Sequence, residues 1–114
     1  MNKIIYILLT IITFSCISIN ANAVLARGVV GCGKWIAASE RKASDGYLFI
    51  FYQGWVLGFL SGSAVQTNKD ILKNTDNESL YLWIDNYCRA NPLKSLIYGS
   101  DALFEELKKK EGLK

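Results

Sequence analysis

The sequence predicts an all-α protein: a small single-domain bundle of about four helices, stapled by one disulfide. Gly54, Gly58 and Gly62 recur every four residues in an uncharged run; this spacing places them on one face of a helix, whereas a strand would only be weakened by them. A later run repeats apolar residues at i, i+3, i+4, i+7 and i+8, the pattern of an amphipathic helix. Two cysteines, Cys32 and Cys88, remain once a predicted leader is removed. A small exported protein with one cysteine pair usually forms one disulfide.

Residues 1–23 are predicted to be a secretory signal peptide. Lys3 supplies the positive start, residues 4–12 are apolar except for one threonine, and Ala21-Asn22-Ala23 matches a cleavage site. The apolar core is short for a retained membrane anchor. A lipoprotein with Cys16 as its lipidated end remains the main alternative. We therefore expect secretion through the inner membrane into the periplasm.

The remaining chain, residues 24–114, is long enough for one domain with a modest core, and small enough to benefit from a cross-link. Loop-closure entropy for a bond between Cys32 and Cys88 corresponds to about 4 kcal/mol. The whole chain has 13 Lys and Arg against 10 Asp and Glu. Since Lys3 leaves with the leader, the net charge becomes +2. This small excess, without a basic stripe before the tail, argues against a nucleic-acid partner.

The sequence contains no histidine. This excludes Ser-His-Asp and Cys-His nucleophile systems and removes the commonest zinc ligand. If the two cysteines are joined, neither is a nucleophile or a metal ligand. We therefore predict that the protein is not an enzyme and has no catalytic residues, metal or cofactor.

Residues 31–36 are expected to open the ordered part of the chain, and the stretch to Lys42 is expected to be a short helix with Trp35 and Ile36 facing inward. Ser44 is a plausible N-cap for the next helix. The uncharged residues 47–66 then predict a central helix of about five turns, nearly encircled by partners.

The three glycines of this central helix would let a neighbouring backbone approach closely. The alternative is a membrane span with a G-x-x-x-G dimer face. A span would place Cys32 and Cys88 on opposite sides of the bilayer, where they could not pair, so we favour the core helix.

The third helix is predicted to start at a capping box, Thr75-x-x-Glu78. Its buried stripe comprises Leu80, Trp83, Ile84, Tyr87 and Cys88. Asn91 and Pro92 are expected to end it and to start the last helix as N-cap and first residue. The last apolar stripe comprises Leu93, Leu96, Ile97, Leu103, Phe104 and Leu107. Gly99 and Ser100 leave a notch where the glycine stripe would dock. Residues 108–110 suit the end of the helix dipole, and Gly112 follows its stop.

The tryptophans Trp35, Trp55 and Trp83 are predicted to belong to the core. A polar group surrounds the second cysteine: Asp85, Asn86, Arg89 and Asn91. It could form a recognition cluster, but we favour a solvated helix face with an Asp85–Arg89 ion pair and a cap.

The polar connection 67–76 is the best candidate for a partner-binding surface. It is long for a link between helices, and it mixes charges and amides with the exposed-looking aliphatics Ile71 and Leu72. The alternative is a solvated linker. The candidate partner-binding residues are Asn68, Lys69, Asp70, Lys73, Asn74 and Asp76.

Three blocks of sequence carry a family resemblance: Cys32-Gly33-x-Trp35-Ile36, then residues 53–62 (QGWVLGFLSG), then residues 83–93 (WIDNYCRANPL). In this order the chain resembles the small exported immunity proteins of type VI secretion amidase effectors, many of which have no assigned function. More distantly, its size and its Tyr-Cys-x-x-x-Pro element resemble periplasmic acid-stress chaperones of the HdeA type.

The resemblance implies an all-helical periplasmic protein in which Cys32 is bonded to Cys88. It also implies a function: binding a secreted peptidoglycan amidase and blocking its active cleft. No contact residues are carried over, because recognition surfaces in the family vary with the toxin. An acid-stress chaperone, a carboxylate-based hydrolase and an orphan family member are the alternatives. We expect a protein partner, leave a homodimer open, and expect no stable membrane insertion after leader cleavage.

Overall fold

Four helices build the part of the chain that the structure, a computed structural model, describes: residues 2–3, 26–41 and 46–113. They are α1 (Cys32–Glu40), α2 (Gly46–Gln66), α3 (Asn77–Ala90) and α4 (Leu96–Lys110). A disulfide joins Cys32 at the start of α1 to Cys88 near the end of α3. The predicted all-α bundle with one disulfide is confirmed.

Four predictions fall wholly or largely on residues outside this description. The signal peptide, apart from residues 2–3, and the alternative lipidation site Cys16 lie before residue 26. The proposed N-cap Ser44 and the expected last residue of the first helix, Lys42, lie between the described ranges. The structure places the end of α1 at Glu40.

The core lies where all four helices meet around the disulfide. Both cysteines are completely buried. Around them lie five large side chains that are also completely buried: Trp35, Val56, Leu60, Ile84 and Leu96. Trp35 is therefore a core residue, as predicted. Trp55 and Trp83 are only partly buried and pack against the edge of this core.

A short antiparallel backbone contact fixes the entry to α1 beside the entry to α4. The Cys32 amide donates to the Lys94 carbonyl oxygen at 2.8 Å, and the Leu96 amide donates to the Val30 carbonyl oxygen at 2.8 Å. Ser95, which lies between these two hydrogen bonds, is extended with a φ of −80° and a ψ of 149°, so a helix cannot run through it.

The predicted start of the last helix at Asn91 and Pro92 is therefore wrong. Asn91 is the C-cap of α3, and its side-chain amide donates to the Tyr87 carbonyl oxygen at 2.9 Å. Ser95 is the N-cap of α4. Leu93, which was predicted to lie on the apolar stripe, is fully exposed in the intervening turn.

The stop of α4 agrees with the sequence prediction. Residues 108–110 form its last turn, and Gly112 follows with a φ of 72°, in the left-handed region that glycine adopts without strain. The Leu113 amide then reaches back to the Lys108 carbonyl oxygen at 2.9 Å, which satisfies a terminal acceptor of the helix.

The surroundings of α2 differ from the prediction. Only Tyr52, Val56 and Leu60 of its 21 residues are buried, so the helix is not encircled by partners. Among the residues that the structure describes, no atom lies within 4 Å of a Cβ added at Gly54, Gly58 or Gly62, so no described neighbouring backbone approaches the glycine stripe.

The predicted notch at Gly99 is filled by an aromatic ring instead of by α2. A Cβ added at Gly99 would lie 2.8 Å from Cδ1 of Tyr87. Glycine is thus required there for the close packing of α4 against α3, and the glycines of α2 do not dock in the notch.

By length and composition, α2 is a helix that could cross a membrane. Its most apolar 18-residue window has a mean hydropathy of 1.4, and 17% of that window is buried. The bond between Cys32 and Cys88 joins the chain before α2 to the chain after it, with Cα atoms 4.8 Å apart. The sequence argument against a membrane span depends on this pairing, because a span would place the two cysteines on opposite sides of the bilayer.

Candidate functional site

The connection between α2 and α3 begins with a tight turn around Thr67. The Thr67 amide donates to the Ala64 carbonyl oxygen at 3.0 Å, and the Thr67 hydroxyl accepts from the Lys69 amide at 3.2 Å. Asn68 adopts a φ of 53°, in the left-handed region that asparagine tolerates better than most residues. The chain therefore turns within three residues of the end of α2.

Ile71 anchors the middle of the connection. The sequence suggested that Ile71 and Leu72 are exposed, but Ile71 is only 2% exposed and Leu72 is half-buried against the core. Burying an isoleucine side chain stabilises the fold by about 2–3 kcal/mol. The connection is therefore held to the bundle at its centre and does not behave as a solvated linker.

The second half of the connection is tied to the end of α4. The Lys73 ammonium lies 3.5 Å from Oε2 of Glu111, and the Asn74 amide lies 3.5 Å from Oε1 of the same carboxylate. Exposed ion pairs of this kind contribute little free energy, but they restrict the positions of the side chains.

Asp76 ends the connection as the N-cap of α3. Its carboxylate accepts from the Ser79 amide at 2.8 Å and from the Ser79 hydroxyl at 2.8 Å. The predicted capping box of Thr75 and Glu78 is wrong, because the acceptor at the cap is a carboxylate one residue later. These hydrogen bonds from Ser79 hold the pKa of Asp76 below its ordinary value.

We expect Asp76→Ala to lower the melting temperature by a few degrees, because the cap acceptor is lost. Since the pKa of Asp76 is lowered on folding, the stabilisation from its charge is present above the ordinary value of 3.8 and is lost as the pH falls through the lowered pKa. Asp76→Asn is the control, because asparagine keeps a neutral cap. Thermal unfolding from pH 7 to pH 2 should show the advantage of aspartate over asparagine shrinking below pH 4. A constant difference across this range would contradict the assignment.

The six candidate residues thus divide into two groups. Lys73, Asn74 and Asp76 are exposed but engaged with other parts of the fold. Asn68, Lys69 and Asp70 are exposed at the tip of the connection, between the Thr67 turn and the Ile71 anchor. These three residues are consecutive, and the turn before them and the buried isoleucine after them restrain their backbone.

The polar group around the second cysteine links α1 to α3. Asp85 accepts hydrogen bonds from the Trp35 indole at 3.3 Å, the Ser39 hydroxyl at 3.1 Å and Nε of Arg89 at 2.7 Å. Arg89 also pairs with Glu40 at 3.2 Å, and both carboxylates raise the pKa of its guanidinium. The predicted Asp85–Arg89 pair is confirmed, and its extension to α1 makes it part of the bundle.

Residues of this network also line a groove of about 350 Å³ between α2 and α3. Phe49, Tyr81 and Leu82 supply its apolar walls, and Glu78 also lines it. Burial, and then the charge of Glu78, raises the pKa of the Tyr81 phenol, which is therefore uncharged near neutral pH. Because the Asp85 carboxylate is already engaged, the groove offers a surface for contact with another molecule rather than a reactive group.

No group of three or more Cys, Asp or Glu side chains suited to holding a metal ion occurs among the residues that the structure describes. Sequence reasoning missed the outward face of α2, whose apolar side chains are exposed. No periodic signal in the sequence could have found it, because α2 is uncharged and apolar residues occur on every side of the helix.

Comparisons of this chain with protein-family models, with curated proteins and with solved structures find no match.

Proposed function

We propose that this protein is an exported immunity-type inhibitor, which binds a secreted peptidoglycan amidase and blocks its active cleft. The observation that supports the proposal is the form of the connection between α2 and α3. Asn68, Lys69 and Asp70 are exposed at its tip, while Ile71 directly beside them is 2% exposed and anchored in the core.

A fixed tip of this kind suits inhibition by insertion into a cleft. A mobile segment must lose conformational entropy when it binds, whereas an ordered one has already lost most of it on folding. The Thr67 turn on one side and the Asp76 cap on the other restrain the tip before any partner arrives.

The chemistry of the tip also suits the proposed partner. The cross-linked stem peptides on which an amidase acts present carboxylates, amides and amines. Asn68, Lys69 and Asp70 present an amide, an ammonium and a carboxylate in succession. An active cleft that pairs with the stem peptide has groups complementary to this set.

The compartment follows from the same proposal. Buried disulfides such as Cys32–Cys88 are typical of proteins that fold in oxidising compartments, including the bacterial periplasm. The resemblance of the three sequence blocks to immunity proteins supplies the specific class of partner.

The test is inhibition of a secreted amidase encoded beside the gene for this protein. The purified protein should inhibit cleavage of peptidoglycan in a one-to-one ratio. Lys69→Glu/Asp70→Lys exchanges the two charges of the tip without changing the net charge, and it should weaken binding at least about tenfold through misplaced charges. The matched control is Asp101→Lys/Lys109→Glu, which makes the same exchange on the exposed surface of α4 and should bind like the unmodified protein.

Two results would contradict the proposal. The first is the absence of both binding and inhibition. The second is equal weakening by the tip exchange and by the control exchange, which would show that the partner does not contact the tip.

A further inference from the structure

The outward face of α2 exposes large apolar side chains. Tyr47 and Val65 are each 77% exposed, Ile50 is 66% exposed and Phe51 is 52% exposed. They lie at the two ends of the helix, on the side opposite the buried residues Tyr52, Val56 and Leu60. Soluble proteins rarely leave such an array of large apolar groups on one face without a partner.

The middle of the same face is formed by small residues. Gly54, Gly58, Ser61 and Gly62 are all exposed, and a Cβ at any of the three glycines would enter open space. The surface of this face is therefore recessed at its centre, where the side chains are small, and raised at both ends, where they are large. It contains no charged residue, since none occurs in α2.

We propose that this face is the interface of a symmetric dimer, in which it binds the same face of a second copy of this chain. The two α2 helices lie antiparallel, and the two-fold axis passes at the level of Val56. The proposal is independent of the amidase partner, because the tip at residues 68–70 lies outside the face.

The register follows from the sequence of the face. Under a two-fold axis at residue 56, residue i of one copy lies opposite residue 112 − i of the other. This operation pairs Ile50 with Gly62 and Phe51 with Ser61, so each of these large side chains meets a small one. The eight residues of the face map onto themselves completely, as a self-complementary interface requires.

The same two-fold operation pairs the residues at the centre and at the ends of the face. Gly54 lies opposite Gly58, which permits close approach of the two backbones. Tyr47 lies opposite Val65 at each end. A parallel pair would instead place Tyr47 against Tyr47 and Phe51 against Phe51, with a gap over the glycines, so the antiparallel arrangement fits better.

The area and charge of the face suit a second copy. The four large side chains expose roughly 500 Å² per chain, and with the small residues the two copies together would bury roughly 1,200 Å², the lower limit of specific interfaces. Because the face is uncharged, its self-association brings no like charges together. A lipid surface is less suited, since helices that lie on membranes usually display Lys and Arg beside the apolar face, and α2 has neither.

The first test measures the mass of the full exported protein, with its disulfide intact, by analytical ultracentrifugation. At roughly 100 μM we expect a dimer, because an interface of micromolar Kd is then saturated. Gly58→Leu should abolish the dimer, a loss of at least about 100-fold in affinity. It should leave the helical circular dichroism unchanged, because the added side chain enters open space in the single chain. Asn86→Leu adds the same side chain at an exposed position of α3 and should remain dimeric.

The second test determines the register by cross-linking. Mixing Tyr47→Cys with Val65→Cys under mild oxidation should give a disulfide-linked dimer, whereas neither variant should cross-link with itself, because the two copies of each position lie about 27 Å apart along the helices. A monomer at roughly 100 μM or a dimer that Gly58→Leu leaves intact would overturn the proposal. Cross-linking of Tyr47→Cys with itself, or a monomer that floats with phosphatidylglycerol vesicles, would also overturn it, the latter in favour of a lipid surface.

Discussion

Replacing Cys32 and Cys88 together with alanine is expected to lower the free energy of unfolding by about 4 kcal/mol. The two residues are 56 positions apart, so the bond closes a loop over most of the described chain. Without it the unfolded chain gains conformational entropy, while the folded chain keeps nearly the same contacts. For a domain of this size the loss is a large part of the total stability.

Urea unfolding monitored by circular dichroism would measure this effect. With an ordinary dependence of the unfolding free energy on urea, the midpoint should fall by roughly 2–4 M. Reducing the disulfide of the unmodified protein breaks the bond but keeps both sulfur atoms, so it is the control for the volume lost in the alanine variant. Reduction should lower the urea midpoint by a similar amount. A double variant that unfolds within about 0.5 M of the oxidised protein would contradict the prediction.

The sequence predicted the helices whose apolar residues repeat clearly. The stripe from Leu80 to Cys88 identified α3 and placed the cysteine on its buried face, and Cys88 is indeed completely buried. The boundary after α3 was not predictable in this way. Asn91 and Pro92 have the residue types of a helix start, but the backbone contact of residues 94–96 with residues 30–32 delays the start to Leu96.

The sequence does not predict which side of α2 is buried, because apolar residues occur all round the helix. A helix with no polar side gives no indication of which side faces the core, and three glycines at spacing four predict a close contact with a neighbour that the described residues do not make. The structure instead buries the row of Tyr52, Val56 and Leu60 and exposes the glycines. The choice between these two rows depends on tertiary packing that periodicity does not encode.

The candidate site in residues 67–76 stays a prediction, and the internal order of this segment could not be predicted from the sequence. The anchor Ile71 lies among polar residues, so nothing local distinguishes it from an exposed side chain. The contacts of Lys73 and Asn74 are with Glu111, close to the other end of the described chain. Such long-range pairs depend on the packing of α4 beside α3, which a single sequence does not specify.

Trp35→Ala is expected to lower the free energy of unfolding by about 4 kcal/mol. Trp35 is completely buried in α1, a helix of only nine residues. Its ring packs edge-on against Phe49 of α2 with centroids 5.1 Å apart, and its indole nitrogen donates to Asp85 of α3 at 3.3 Å. Removing this side chain therefore takes away its contacts with both α2 and α3, and it leaves a cavity.

The three tryptophans provide a matched comparison. Trp55 and Trp83 are only partly buried, so the corresponding alanine variants should lose about half as much stability or less. Trp35→Phe retains most of the packing and should cost only about 1–2 kcal/mol, since Asp85 still accepts from Ser39 and Arg89. It gives a measurable result even if Trp35→Ala does not fold. Equal losses for the three alanine variants would show that α1 is not held by Trp35. The ordering that we expect follows from burial, because the cost of a cavity depends on how completely the neighbouring side chains enclose it.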